Sequence, residues 1–140
     1  MHYLAGVLLI IQYGLACFFE KMVLIKGLDY IAWGIWAVAV VLLFLPIIYL
    51  RHKGKVQTGS SYVATEVLVD TGIYAIIRHP QYLGWMLMYF VTFLFNPRWE
   101  IAIVGMIGVA CMYVITKQEE EILIKKFGIS YSVYVQSVPR

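Results

Sequence analysis

Four apolar stretches, at residues 3–19, 30–50, 82–95 and 101–115, are separated by more polar connections and decide what this 140-residue chain can fold into. A helix needs about 20 apolar residues to cross ~30 Å of hydrocarbon, and only the second stretch reaches that length alone. The third and fourth lengthen if their flanks join the helices: residues 78–80 at the start of one, and a continuation past Ile115 at the end of the other. Hydrophobic residues make up 62% of the chain and charged residues 14%, against roughly 45–50% and 25% in soluble domains, so the stretches read as membrane helices. The fold class expected is all-α: an integral membrane helical bundle with about four transmembrane helices, a cytoplasmic loop and an amphipathic C-terminal helical tail. One domain is expected over 1–140, made of two N-terminal helices (1–50), a loop (51–81), a helical hairpin (82–115) and a tail (116–140).

The first stretch lacks the basic segment that precedes a secretory signal and is expected to stay as a helix. Asn96-Pro97 is a turn signal, because proline lacks an N–H and biases the residue before it away from the helical region. The two cysteines, Cys17 and Cys111, fall inside apolar stretches and build neither a disulfide framework nor a metal site. Of the eleven Lys and Arg residues, eight (Arg51, Lys53, Lys55, Arg78, Lys117, Lys125, Lys126, Arg140) fall on one side if the stretches alternate. Lys21, Lys26 and Arg98 fall on the other, so the positive-inside rule places both termini, the long loop and the tail in the cytoplasm. The net charge of +3 is then a topology signal and too sparse for a nucleic-acid surface.

No ionisable residue interrupts any of the four stretches, which argues against proton- or ion-coupled transport. Polar chemistry is concentrated in residues 51–82 and 116–140. The first region opens as a Gly-, Ser- and Lys-rich loop through Ser61, then turns apolar in "EVLVDTGIYAII", with a turn at Asp70-Thr71-Gly72. Such a loop folds back over the helix ends and roofs a cavity. Pro80 suits the first turn of a helix, which leaves His79 at its cap with Tyr82 and Trp85 on the following faces. In the second region Ile115, Ile122, Leu123 and Phe127 recur at helical spacing, Lys125 and Lys126 occupy a last turn, and Gly128 is a natural stop. Ser130 is expected to cap a short final helix with Tyr131, Tyr134, Val135 and Val138 on one face.

Two segments, "LVDTGIYAIIRHPQYLGW" and "EEEILIKKFGISYSVYVQSVPR", joined by a hairpin with Asn-Pro at its tip, resemble the C-terminal half of the isoprenylcysteine carboxyl methyltransferase family. That family sits within a wider set of phospholipid methyltransferase-like membrane proteins, and the resemblance covers residues 67–140. It implies S-adenosylmethionine as methyl donor, in a cytoplasm-facing pocket formed by the last two membrane helices, the preceding loop and the tail. Carried over by position, the donor site would comprise Leu68, Val69, Tyr74, His79, Pro80, Gln81, Tyr82 and Glu120, with Arg78, His79 and Tyr82 as catalytic residues. Glu119 and Glu121 flank Glu120 and leave the choice of carboxylate open. Thr116 stands where the eukaryotic members have an arginine expected to meet the substrate carboxylate, and those members carry additional N-terminal helices.

The chemistry is coherent on its own terms. Methyl transfer from a sulfonium is an in-line displacement, so a protein must chiefly align donor and acceptor and exclude water. Tyr74, Tyr82 and Trp85 could host the sulfonium by cation–π attraction. An isoprenylated or lipid-like acceptor can enter from the bilayer while the donor arrives from the cytoplasm. A phospholipid amine acceptor is the alternative within this chemistry, and a four-helix transporter or scaffold the alternative outside it; the oligomeric state stays open. Each residue also has a structural reading: Arg78 as a topology anchor, His79 as a cap, Tyr82, Trp85 and Trp99 as interfacial aromatics, and Glu119–Glu121 as a solvated helix face.

Overall fold

The computed structural model describes residues 2–20, 27–56 and 65–140. Within them the chain forms five α-helices: α1 (His2–Phe18), α2 (Leu28–Lys53), α3 (Pro80–Phe95), α4 (Trp99–Phe127) and α5 (Ile129–Ser137), with a single 3-10 turn at Gly72–Ala75 before α3. Lys21, Lys26 and the part of the polar loop at 57–64 lie outside the described residues.

Two helices, α2 and α4, are long and apolar enough to cross a membrane. The helices α1 and α3, at 17 and 16 residues, are shorter and rise only about 25 Å. The expected start of α3 at Pro80 holds, and α3 and α4 are separated by only Asn96, Pro97 and Arg98, so the Asn-Pro signal marks a tight hairpin. The fourth apolar stretch does continue: α4 is one 29-residue helix that runs on past Ile115 to Phe127. At its end Gly128 adopts φ 56°, a conformation that favours glycine, and the chain turns there directly into α5. That turn corrects the expected cap. Gly128 is the N-cap residue of α5, and Ser130 lies inside the helix.

In the bundle α3 lies between α2 on one side and α1 and α4 on the other, and α1 also packs along α4. Gly84 makes the α2–α3 approach close, since a Cβ there would meet the Ala39 carbonyl and the Leu43 side chain at 3.1 Å. Polar side chains tie the helices where lipid offers no partner. Buried Gln12 donates from Nε2 to the carbonyls of Tyr89 (3.1 Å) and Ile101 (3.0 Å), joining α1 to α3 and α4. The Tyr89 hydroxyl donates to the Ala5 carbonyl. At the hairpin end Asn96 Nδ2 reaches Ala16 O at 3.2 Å, and Arg98 reaches Glu20 O at 3.3 Å. These bonds fix the register of α1 against the hairpin, so the opposite end of the bundle has a defined shape.

Candidate functional site

That opposite end gathers the C-terminus of α2, the 3-10 turn, the N-terminus of α3, the distal part of α4 and all of α5. Local sequence explains how the chain gets there. Lys126 Nζ donates to the Thr65 carbonyl, and the Arg78 N–H donates to the Pro139 carbonyl at 3.0 Å, so the loop is held by α4 and by the segment after α5. The buried face of α5 carries Tyr131 and Tyr134, which together with Val138, just beyond the helix end, pack on Leu68, Leu123, Phe127 and Val135. Tyr134 then donates its hydroxyl to the Tyr74 carbonyl at 2.6 Å, fastening the tail to the 3-10 turn.

Between these elements lies a cavity of about 800 Å³, within the range of small-molecule sites. Leu68, Val69 and Tyr74 line it from the loop, and Arg78, His79, Pro80, Gln81 and Tyr82 from the entrance to α3. Eight of the positions singled out from sequence therefore share one wall. Trp85, Glu119 and Tyr131 line it as well, and Tyr3 and Gly6 of α1 reach its edge. Glu120 does not line the cavity. Its carboxylate is buried behind the wall, 2.8 Å from Arg78 Nη1 and 3.1 Å from His79 Nε2, and it accepts from Arg140 at both oxygens, from Nε at 3.1 Å.

This cluster has a definite charge state. Burial lowers the His79 pKa, assisted by the Arg78 charge, and outweighs the opposing influence of Glu119 and Glu120. His79 is therefore neutral at pH 7, with its proton on Nε2 as donor to Glu120. Glu120 lies outside the apolar span of α4. Burial pushes its carboxyl up, but the Arg140 hydrogen bond, the Arg78 charge and the His79 bond together hold it below the usual carboxylate value. Burial and the Glu120 charge push the Tyr131 phenol up to about 12, so it remains protonated.

Two buried polar atoms of the cluster have no partner among the described residues: Arg78 Nε and the Tyr131 hydroxyl. Thr116, by contrast, is buried and donates to the Met112 carbonyl at 2.8 Å, which leaves it no proton for a ligand. Arg140 and Tyr131 were not among the site residues expected from sequence. Arg140 counted as a tail charge and Tyr131 as packing, although both belong to the "YSVYVQSVPR" segment of the compound pattern.

Comparison with known proteins agrees with the pattern. A family model described as the isoprenylcysteine carboxyl methyltransferase family matches residues 52–125. The Protein-S-isoprenylcysteine O-methyltransferase of Dictyostelium discoideum is 42% identical over 77 residues, covering 51% of this chain and 31% of that protein. The chain thus spans under a third of the length of this curated relative. No solved structure matches.

Proposed function

Because the chain belongs to the isoprenylcysteine carboxyl methyltransferase family, we propose that it is a membrane carboxyl methyltransferase acting on an isoprenylated cysteine, with S-adenosylmethionine as donor. The observation that carries this reading is the convergence of Leu68, Val69, Tyr74 and residues 78–82 on one cavity of about 800 Å³ at the polar end of an apolar bundle. Eight of the eleven Lys and Arg residues lie in the segments at this end, which supports a cytoplasmic orientation for the site.

The residues present suit such a donor. Tyr74, Tyr82 and Trp85 offer aromatic faces to a cation, and His79, being neutral, adds no opposing charge. Leu68 and Val69 offer apolar contact, and Glu119 offers a carboxylate at the wall for hydroxyl or ammonium groups. S-adenosylmethionine bound there supplies a methyl group activated on sulfonium. A carboxylate acceptor is already a nucleophile, so no residue needs to remove a proton, and the work of the chain is alignment and exclusion of water. Glu120 serves by holding Arg78 and His79 in fixed positions; a direct part for it in donor binding requires Arg140 to release one of its oxygens. An isoprenyl chain has access from the lipid side, where α1 contributes Tyr3 and Gly6 to the cavity edge.

Isothermal titration of the purified chain with S-adenosylhomocysteine tests the donor site. His79→Ala and Glu120→Ala are expected to weaken binding far more than Glu20→Ala, and a wild-type chain that binds no S-adenosylhomocysteine overturns the reading. Radiolabelled donor incubated with an isoprenylated cysteine should yield base-labile methyl ester; base-stable label in phospholipid headgroups would transfer the assignment to an amine acceptor.

A further inference from the structure

The unpartnered atoms of the cluster point further. Arg78 Nε and the Tyr131 hydroxyl are each buried without a hydrogen-bond partner, and both residues line the same cavity. Leaving such a donor unsatisfied is costly, and native proteins keep few of them. Neighbouring groups are paired: Arg78 Nη1 with Glu120, His79 Nε2 with Glu120, and the hydroxyl of Tyr134, three residues from Tyr131 on the same face of α5, with the Tyr74 carbonyl. The same helix therefore carries one tyrosine hydroxyl committed to the fold and another, on a residue that lines the cavity, with no partner among the described residues.

The guanidinium Nε–H can only donate, and the Tyr131 hydroxyl, which can also accept, has a proton to donate, so a single ligand group that accepts at both positions would satisfy the pair. The two side chains are held on a common frame, since the Arg78 backbone N–H donates to Pro139, just beyond α5, at 3.0 Å. A carboxylate fits, with two acceptor oxygens and a negative charge beside a guanidinium.

We propose that Arg78 Nε and the Tyr131 hydroxyl form a carboxylate-recognition pair in this cavity. Tyr131 lies outside the matched residues 52–125. The inference rests on the proposed function for the identity of the ligand, and two carboxylates qualify: that of the donor's methionine moiety and that of the acceptor. In either case Tyr131 discriminates ligands that carry the group from analogues that lack it.

The test compares Tyr131→Phe and Arg78→Lys with wild type. The first removes only the hydroxyl, and the second keeps a cation for Glu120 while removing Nε. Ser132→Ala, on the exposed side of α5, is the control, and thermal unfolding of each variant in detergent checks that it folds. Affinities for S-adenosylhomocysteine and its decarboxylated analogue are measured by titration, and inhibition constants are measured for an S-farnesylcysteine carboxylate and its carboxamide. A roughly tenfold loss for S-adenosylhomocysteine, with the decarboxylated analogue unchanged, assigns the pair to the donor carboxylate. A similar loss confined to the farnesylcysteine carboxylate assigns it to the acceptor. Equal weakening of carboxylate and non-carboxylate ligands, or no weakening of either, overturns the proposal while leaving the proposed function intact. Failure of the wild type to bind S-adenosylhomocysteine strikes the proposed function itself, and leaves the farnesylcysteine pair to decide for or against carboxylate recognition.

Discussion

Replacing Glu120 by Gln keeps the size of the side chain and removes the charge on which Arg78, His79 and Arg140 converge. The Arg78 and Glu120 side chains are each only 9% exposed, so this pair is shielded, whereas Arg140, at 36%, is partly screened by solvent and its share is discounted accordingly. Removing one partner of a buried ion pair costs about 3–5 kcal/mol, because the other charge is left uncompensated. An amide can still accept one hydrogen bond, which places Glu120→Gln near the lower end, about 3 kcal/mol. Equilibrium unfolding in mixed micelles with a denaturing detergent measures the loss. A double-mutant cycle then isolates the pair: Arg78→Gln together with Glu120→Gln removes both charges and should cost about 2–3 kcal/mol less than the sum of the single changes. A coupling below about 0.5 kcal/mol would mean that the two groups behave as an exposed surface pair, and the reasoning from burial would fail.

Acidification should destabilise the chain in two stages. His79 has a folded pKa below 6.5, so as pH falls below 6.5 the unfolded chain takes up a proton that the folded one refuses, and stability drops; His79→Gln should flatten a plot of unfolding temperature against pH in that window. Glu120, held below 4.5, contributes stability that is present above that pH and is lost as pH falls through its depressed value, so a second decline should vanish in Glu120→Gln. Gly84→Val should cost about 1–3 kcal/mol by forcing α3 away from Ala39 and Leu43 of α2, measurable as a lower unfolding temperature. Gln12→Leu removes two interhelical hydrogen bonds to carbonyls, a loss of about 0.6–1.7 kcal/mol by the same unfolding measurement.

Much of the framework was legible in the sequence because its signals are local. Proline at position 80 has no N–H to lose in a first turn, Asn96-Pro97 cannot continue a helix, and Gly128 tolerates the φ of 56° at which α4 ends. The continuation of α4 past Ile115 followed from the spacing of Ile122, Leu123 and Phe127, and the spacing of Tyr131 and Tyr134 put them on one face of α5, whereas the helix ends at Ser137 and Val138 follows it in extended backbone. Where two residues competed for one local role, the sequence was less decisive: Ser130 has a capping side chain, yet glycine's backbone freedom made Gly128 the cap.

Chemical roles in the site depended on partners far away along the chain. Three consecutive glutamates are alike in sequence, but packing buries Glu120 against His79, 41 residues distant, and against Arg140, 20 residues distant, while Glu119 is left to line the cavity. Tyr131 and Tyr134 share a helix face and a local context. Only the tertiary structure supplies the Tyr74 carbonyl to one hydroxyl and, among the described residues, no partner to the other. The sequence by itself determined the helices, their breaks and the segments that carry polar groups, because those depend on backbone geometry and hydrophobic period over a few residues. Which polar group is spent on the fold and which is left without a partner was decided by tertiary packing, since hydrogen-bond satisfaction depends on the distance between atoms that the chain brings together only when it folds.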